Sequence, residues 1–192
     1  MSHFSWLTED DDISDILLHF EKEFIHLNLF CNDVLRKKKG LPSQTRETIA
    51  AYVSGVNACS FCYGVHSTVA KSFGQDDKLL GQMVESLETA NVDAPMKSLL
   101  CLARKLTLSP TKVVKADIAA ILDQGYSEDD AHEVIVITGL FNMMNRIVEG
   151  HGVKGSNQKS EYCGKILTRL GYKFPWIARK LLKTGLFKKI LI

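Results

Sequence analysis

"ETIAAYVSGVNACSFCYGVHSTVAKSFG", residues 47–74, decides how this chain folds and what chemistry it can carry. Its helical pattern is interrupted by Gly55 and Asn57, just before a pair of cysteines. If residues 57–70 form a helix entered at Asn57, Cys59, Cys62 and His66 fall along one stripe. Helical residues three apart have Cα atoms about 5 Å apart, close enough for a disulfide to bridge. His66 stands one turn beyond Cys62, within reach of its sulfur. A helix that only packs has no need of this arrangement.

Helix-start N–H groups stabilise a thiolate, which favours Cys59, whereas Cys62 is the thiol with an imidazole in reach. The residues alone leave the nucleophile undecided between them. A zinc site on Cys59, Cys62 and His66 lacks a fourth ligand, because no second CxxC or HxxxH pair occurs. Covalent haem needs a histidine directly after the second cysteine, where this chain has Tyr63. Thioredoxin-type exchange lacks its βαβ surroundings. A redox-active dithiol is the reading that survives, against a bland one of packed cysteines and a satisfied histidine. No metal and no cofactor is expected.

Outward from this segment the pattern is helical. Ile13, Ile16, Leu17, Phe20, Phe24, Leu27, Cys31, Val34 and Leu35 mark one stripe of a long first helix, ended by "RKKKG" and Pro42. Ser43 is the candidate N-cap of the helix that carries Glu47. Leu79, Leu80, Met83, Val84 and Leu87 follow Asp76 as a short amphipathic helix. Ser109-Pro110 predicts a helix start and Gly125 its stop. Ser127 with Asp130 predicts a capping box, and Gly150 closes the helix that begins there. The β-branched run "VIVI" at 134–137 lies inside that capped segment and is read as helix. The stretch 150–160, "GHGVKGSNQKS", reads as a connector, followed by two helical pieces. The fold class is all-α, with roughly seven to nine helices.

The chain has 192 residues, 45% apolar and 24% charged, with net charge +2. That is the composition of an ordinary globular protein, with no basic run to suggest nucleic acid. No apolar run approaches the ~18 residues of a membrane span, the N-terminus lacks a signal-peptide pattern, and a cytoplasmic protein is expected. Of five cysteines, Cys31, Cys101 and Cys163 read as small packing residues. His3, His19, His26, His132 and His151 have no evident partners. Asn142, Asn145 and Arg146 read as a buried hydrogen-bonded cluster more readily than as part of a site.

The segment 47–74 resembles the signature of the alkyl hydroperoxidase D (AhpD) family, within the carboxymuconolactone decarboxylase-like superfamily. The family pattern is a glutamate, eleven residues, CxxC, then a histidine three residues further on. Glu47, Cys59, Cys62 and His66 stand at that spacing. Residues 121–153 are similar to the distal helical segment of the peroxidase-related subgroup, so the resemblance spans 40–155. The domain is expected over 1–155, with a helical extension over 156–192 used for packing or oligomerisation.

The resemblance implies that Cys62 is the peroxidatic cysteine and Cys59 the resolving one. It implies that His66 and Glu47 form the proton relay. The implied substrate is a hydroperoxide and the implied reductant an external dithiol, a lipoyl group on a carrier protein in the best-known members. It also implies a homo-oligomer, which gives the basic amphipathic stretch "WIARKLLKTGLFKKILI", 176–192, a surface to dock on. Two departures stand out. Some members carry a histidine where this chain has Phe61, and Phe61 and Tyr63 make the site more apolar. Along one unbroken helix Glu47 would lie about 18 Å from Cys59, so the relay requires a turn at Gly55 and Asn57. The alternatives are a dithiol–disulfide oxidoreductase acting on a protein, or a helical assembly protein whose CxxC is a redox switch or metal clip.

Overall fold

A computed structural model describes residues 2–9, 11–154 and 156–173. Among them are nine α-helices and no strand: α1 Ile13–His19, α2 Glu21–Leu35, α3 Ser43–Val56, α4 Ser60–Ser72, α5 Asp77–Glu85, α6 Ala94–Leu108, α7 Lys115–Leu122, α8 Glu128–Gly150 and α9 Asn157–Leu170. The terminal helix expected over 176–192 lies outside the described residues. No helix among the described residues is long and apolar enough to cross a membrane.

The central element is α3. Every residue from Thr45 to Ser54 is buried, so five polar or charged side chains, Thr45, Arg46, Glu47, Thr48 and Ser54, go inside with the helix and call for partners. Thr48 and Ser54 hydroxyls donate back to the carbonyls of Gln44 and Ala50, each at 2.8 Å. Arg46 and Glu47 reach other elements. Around α3 pack α4, α5, α6 and α8, and α9 lies along α4.

The first stripe of the sequence is two helices. The chain breaks at Phe20, which ends α1 and begins α2. The stripe serves two cores, and it changes from one to the other within α2, after Phe24. Ile13, Ile16, Phe20 and Phe24 join a cluster around the cysteines. Leu27, Cys31, Val34 and Leu35 join the main core between α3, α6 and α8. Pro42, rather than Ser43, occupies the cap position of α3. Ser109-Pro110 opens only a 3₁₀ turn, Pro110–Lys112. The helix starts later because the Asp117 carboxylate accepts from the Val114 N–H at 2.7 Å, capping α7 from within. Gly125 lies beyond that helix, at φ +87°.

The Ser127–Asp130 box is formed in both directions, and α8 ends at Gly150 with "VIVI" helical throughout. Only residues 151–156 connect α8 to α9, because Asn157–Ser160, expected in the connector, begin α9 behind a Ser156 cap. That helix sits very close to α4. A Cβ on Gly164 would meet the Val65 carbonyl at 2.7 Å, so only glycine permits this separation.

Candidate functional site

The turn between α3 and α4 is three residues long. Val56 ends α3, Asn57 caps it, Ala58 takes φ 55°, and Cys59 is the N-cap of α4. Ala58 is the only non-glycine residue at positive φ among the described residues. The helix therefore starts three residues later than the 57–70 reading, with Cys62 in its first turn. A polar cluster holds the turn. The Asn57 amide donates to Asn145 Oδ1 at 2.9 Å and Asn142 Oδ1 at 3.2 Å, and Asn145 donates to Ser54 Oγ at 3.1 Å. Arg146 donates to the carbonyl and side-chain oxygens of Asn142. Of these α8 residues Asn145 is buried, Asn142 half-buried and Arg146 exposed, so the cluster expected to be buried runs from the core to the surface, and it anchors the break through Asn57.

Doubling the chain back at this turn brings Glu47 onto His66. Glu47 Oε2 lies 2.7 Å from His66 Nδ1, with Glu47 fully buried. A carboxylate can only accept there, so Nδ1 carries the proton and Nε2 is left as the basic nitrogen of the neutral ring. The Phe141 ring of α8 packs edge-on against His66 at 4.4 Å. Two residues that the motif does not contain complete the carboxylate. Arg36, at the end of α2, pairs with Glu47 Oε1, and the Tyr172 hydroxyl donates to the same oxygen at 2.9 Å. Burial by itself would raise the Glu47 carboxyl. The hydrogen bond and charge of His66, followed by those of Arg36, hold it below its ordinary value.

Cys59 and Cys62 are both free thiols and both buried. They share an apolar cluster with Phe61, Val65 and Val148, covered by Leu7 and Ile16 from the N-terminal segment and α1. Phe61 thus fills the core beside the thiols, whereas Tyr63 packs against the main core on the other side. Cys59 is not the acidic thiol that a helix-start argument favours. The hydrogen bond to Cys62, then burial, push its thiol far up, and the Glu149 carboxylate adds to this. Cys59 is the cap residue, but its side chain makes no hydrogen bond to the N–H groups that open α4.

The isolated cysteines divide. Cys31 is buried, and that burial together with the Glu47 charge pushes its thiol up to about 12. Cys163 lies half-buried against the thiol cluster. Cys101 is exposed on α6, not a packing residue, because Leu99, Leu100, Leu102 and Ala103 fill the buried side of that helix. Among the histidines, His3 and His151 donate to the carbonyls of Gly150 and Ile147, and His19 stacks on Trp6 at 4.2 Å. His26 and His132 are exposed. No group of three or more His, Cys, Asp or Glu side chains among the described residues could hold a metal ion.

Residues 24–96 match the model of the carboxymuconolactone decarboxylase family. That match takes in α3, the turn and α4, and stops short of the 121–153 segment. The uncharacterized protein YdfG of Bacillus subtilis (strain 168) is 25% identical over 122 residues, covering 64% of this chain and 83% of that protein. An alkylhydroperoxidase AhpD core structure, an uncharacterized peroxidase-related protein from Ralstonia eutropha JMP134, superposes with a TM-score of 0.71 at 23% identity over 78% of each chain. An uncharacterized peroxidase-related protein from Silicibacter sp. TM1040 gives 0.69 at 21% identity, covering 83% of this chain and 94% of that one. A cysteine-to-alanine variant of the debrominase Bmp8, in complex with 2,3,4-tribromopyrrole, gives 0.61 at 16% identity, covering 77% and 79%.

Proposed function

We propose that this chain, which through residues 24–96 belongs to the carboxymuconolactone decarboxylase family and has an AhpD-like fold, is a thiol-dependent peroxidase. The observation that carries this reading is the Glu47–His66 hydrogen bond, made across the α3–α4 turn beside two free cysteines. It supplies an oriented base one helical turn from Cys62.

In the proposed cycle His66 Nε2 takes the Cys62 proton, and the thiolate attacks the terminal peroxide oxygen. The O–O bond breaks, Cys62 becomes a sulfenic acid, and the alcohol leaves with the proton that His66 returns. The Cys59 thiol then attacks the sulfenic sulfur, releasing water and forming the Cys59–Cys62 disulfide. An external dithiol, a dihydrolipoyl group in this reading, reduces that bond and is itself oxidised. Cys59 suits the resolving role because its proton stays on until the sulfenic acid forms. The apolar lining from Phe61, Val65 and Ile16 favours organic hydroperoxides over hydrogen peroxide.

The test follows hydroperoxide consumption with dihydrolipoamide while the masses of Cys59 and Cys62 are read. Cys62→Ser is expected to abolish turnover, and Cys59→Ser to allow one stoichiometric turnover and stall as the sulfenic acid. Unchanged multiple turnover in Cys62→Ser refutes the proposal. The same apolar lining, together with the likeness to the debrominase, makes 2,3,4-tribromopyrrole the second electrophile to offer. Bromide release without peroxide consumption replaces the first reading with the second. Disulfide transfer to a protein thiol with neither activity identifies a dithiol oxidoreductase instead.

A further inference from the structure

Glu47 Oε1 is filled by two donors that are remote from each other in sequence and built against each other in space. Tyr172 follows α9, and its hydroxyl also lies 3.4 Å from His66 Nδ1. The Arg36 guanidinium carbon lies over the Tyr172 ring, 4.9 Å from the centroid, and the His66 ring lies nearly parallel to it at 6.2 Å. The Tyr172 backbone N–H donates to Asn32 Oδ1 at 3.4 Å. Behind it, the glycine contact of α9 with α4 fixes where the chain emerges.

We propose that Tyr172 and Arg36 are positioning residues of the thiol site: by filling Glu47 Oε1 they commit Oε2 to His66 Nδ1, so that Nε2 is presented to Cys62. This rests on the reading of Cys62 and His66 as the reactive pair. A carboxylate has about four acceptor positions and can rotate among them, so one oxygen must be occupied for the other to aim. Charge makes a second contribution. A buried carboxylate with no other counter-charge holds a neighbouring imidazole in its protonated form, and an imidazolium takes no proton from a thiol. Arg36 supplies that counter-charge. Tyr172 stays a donor throughout the working pH range, since burial and the Glu47 charge push its hydroxyl well above the ordinary value.

The ionisable groups facing this centre are Cys31 and Arg36 from α2, Glu47 from α3, Cys59 and Cys62 from α4, Glu149 at the end of α8 beside Cys59, and Tyr172. Removing a donor leaves more of the Glu47 carboxylate's charge uncompensated beside His66 and Cys62, and the protons of the pair are then held more tightly.

The experiment measures the rate of Cys62 alkylation by iodoacetamide against pH, read by mass, and needs no peroxide. Tyr172→Phe keeps the ring under Arg36 and is expected to move the midpoint upward by about 0.5 pH unit. Arg36→Met removes a full charge and should move it about 1 unit in the same direction, with Arg36→Lys restoring most of the shift. A merely structural role would lower the amplitude or the melting temperature and leave the midpoint in place. Unchanged midpoints in Tyr172→Phe and Arg36→Met, in protein where His66→Asn does shift the profile, overturn this inference alone. A profile indifferent to His66→Asn overturns the Cys62–His66 pairing and the inference with it. Should Arg36→Met fail to fold, Tyr172→Phe decides by itself.

Discussion

Glu47 on α3 and Glu133 on α8 are both buried and both paired with an arginine, yet their surroundings differ in kind. Glu133 accepts from Arg46 Nε at 2.9 Å and the Leu41 N–H at 3.3 Å, and pairs with Lys37. Arg46 also donates to the carbonyls of Lys37 and Lys39, so the whole group pins the segment between α2 and α3. The backbone passes so near that a Cβ on Gly40 would lie 1.8 Å from Glu133 Oε1. Those donors are two cationic side chains and a backbone amide, and none of them offers an acceptor nitrogen. Glu47 has one permanent cation, one phenol and one imidazole. Burial beside an arginine is therefore common to a clasp and a site. What separates them is an imidazole, a partner whose second nitrogen can take a proton.

The largest expected difference is in activity. Glu47→Gln should lower peroxide turnover about 10²- to 10⁴-fold, the usual contribution of an oriented acid–base group. Glu133→Gln should leave kcat of the folded protein within about threefold of wild type, since no part of its clasp touches His66 or the thiols. Equal losses in the two variants would erase the distinction. Stability should rank the other way. Glu133→Gln strands the fully buried Arg46 and should cost about 3–5 kcal/mol in urea unfolding. Glu47→Gln should cost less, because the Arg36 side chain retains 14% exposure and some access to water.

Acid sharpens the contrast further. The folded protein holds the Glu47 carboxyl below its ordinary 4.5. A depressed carboxyl contributes stability that is fully present above pH 4.5 and is lost as pH falls through the folded value. Wild type should therefore lose more stability than Glu47→Gln as pH is lowered below 4.5, measured by unfolding at a series of pH values. The smallest effect concerns the joint between the helices. Ala58 is exposed and left-handed, so Ala58→Gly should raise stability by about 0.5 kcal/mol with turnover unchanged.

Much of this was legible from residues near one another in the chain. The 127–150 helix was readable because Ser127, Asp130 and Gly150 mark both ends within one element. The four motif residues were readable because one turn separates them, and Gly55 with Asn57 announced the break. The division at Phe20 was not, since the apolar stripe continues in phase across it. Nor was α6 recognised, although Asp93 accepting from the Met96 N–H and Pro95 in the first turn are an ordinary start signal. Arg36 and Tyr172 leave no local trace at all. Tyr172 meets Glu47 across 125 residues, and its arrival depends on how closely α9 lies on α4. A contact of that kind is set by packing, and no periodicity encodes it.

The three-residue turn from Asn57 to Cys59 has a consequence for how this protein can change over generations. Each residue of an α-helix advances about 100° around the axis. Substitutions in the turn need only respect the backbone angles and the Asn57 anchor. A single insertion or deletion would rotate α4 by nearly a third of a revolution against α3 and carry His66 away from Glu47. The turn behaves as the timing mark between two gears: its composition can drift, but its length is locked by the meshing of the parts on either side.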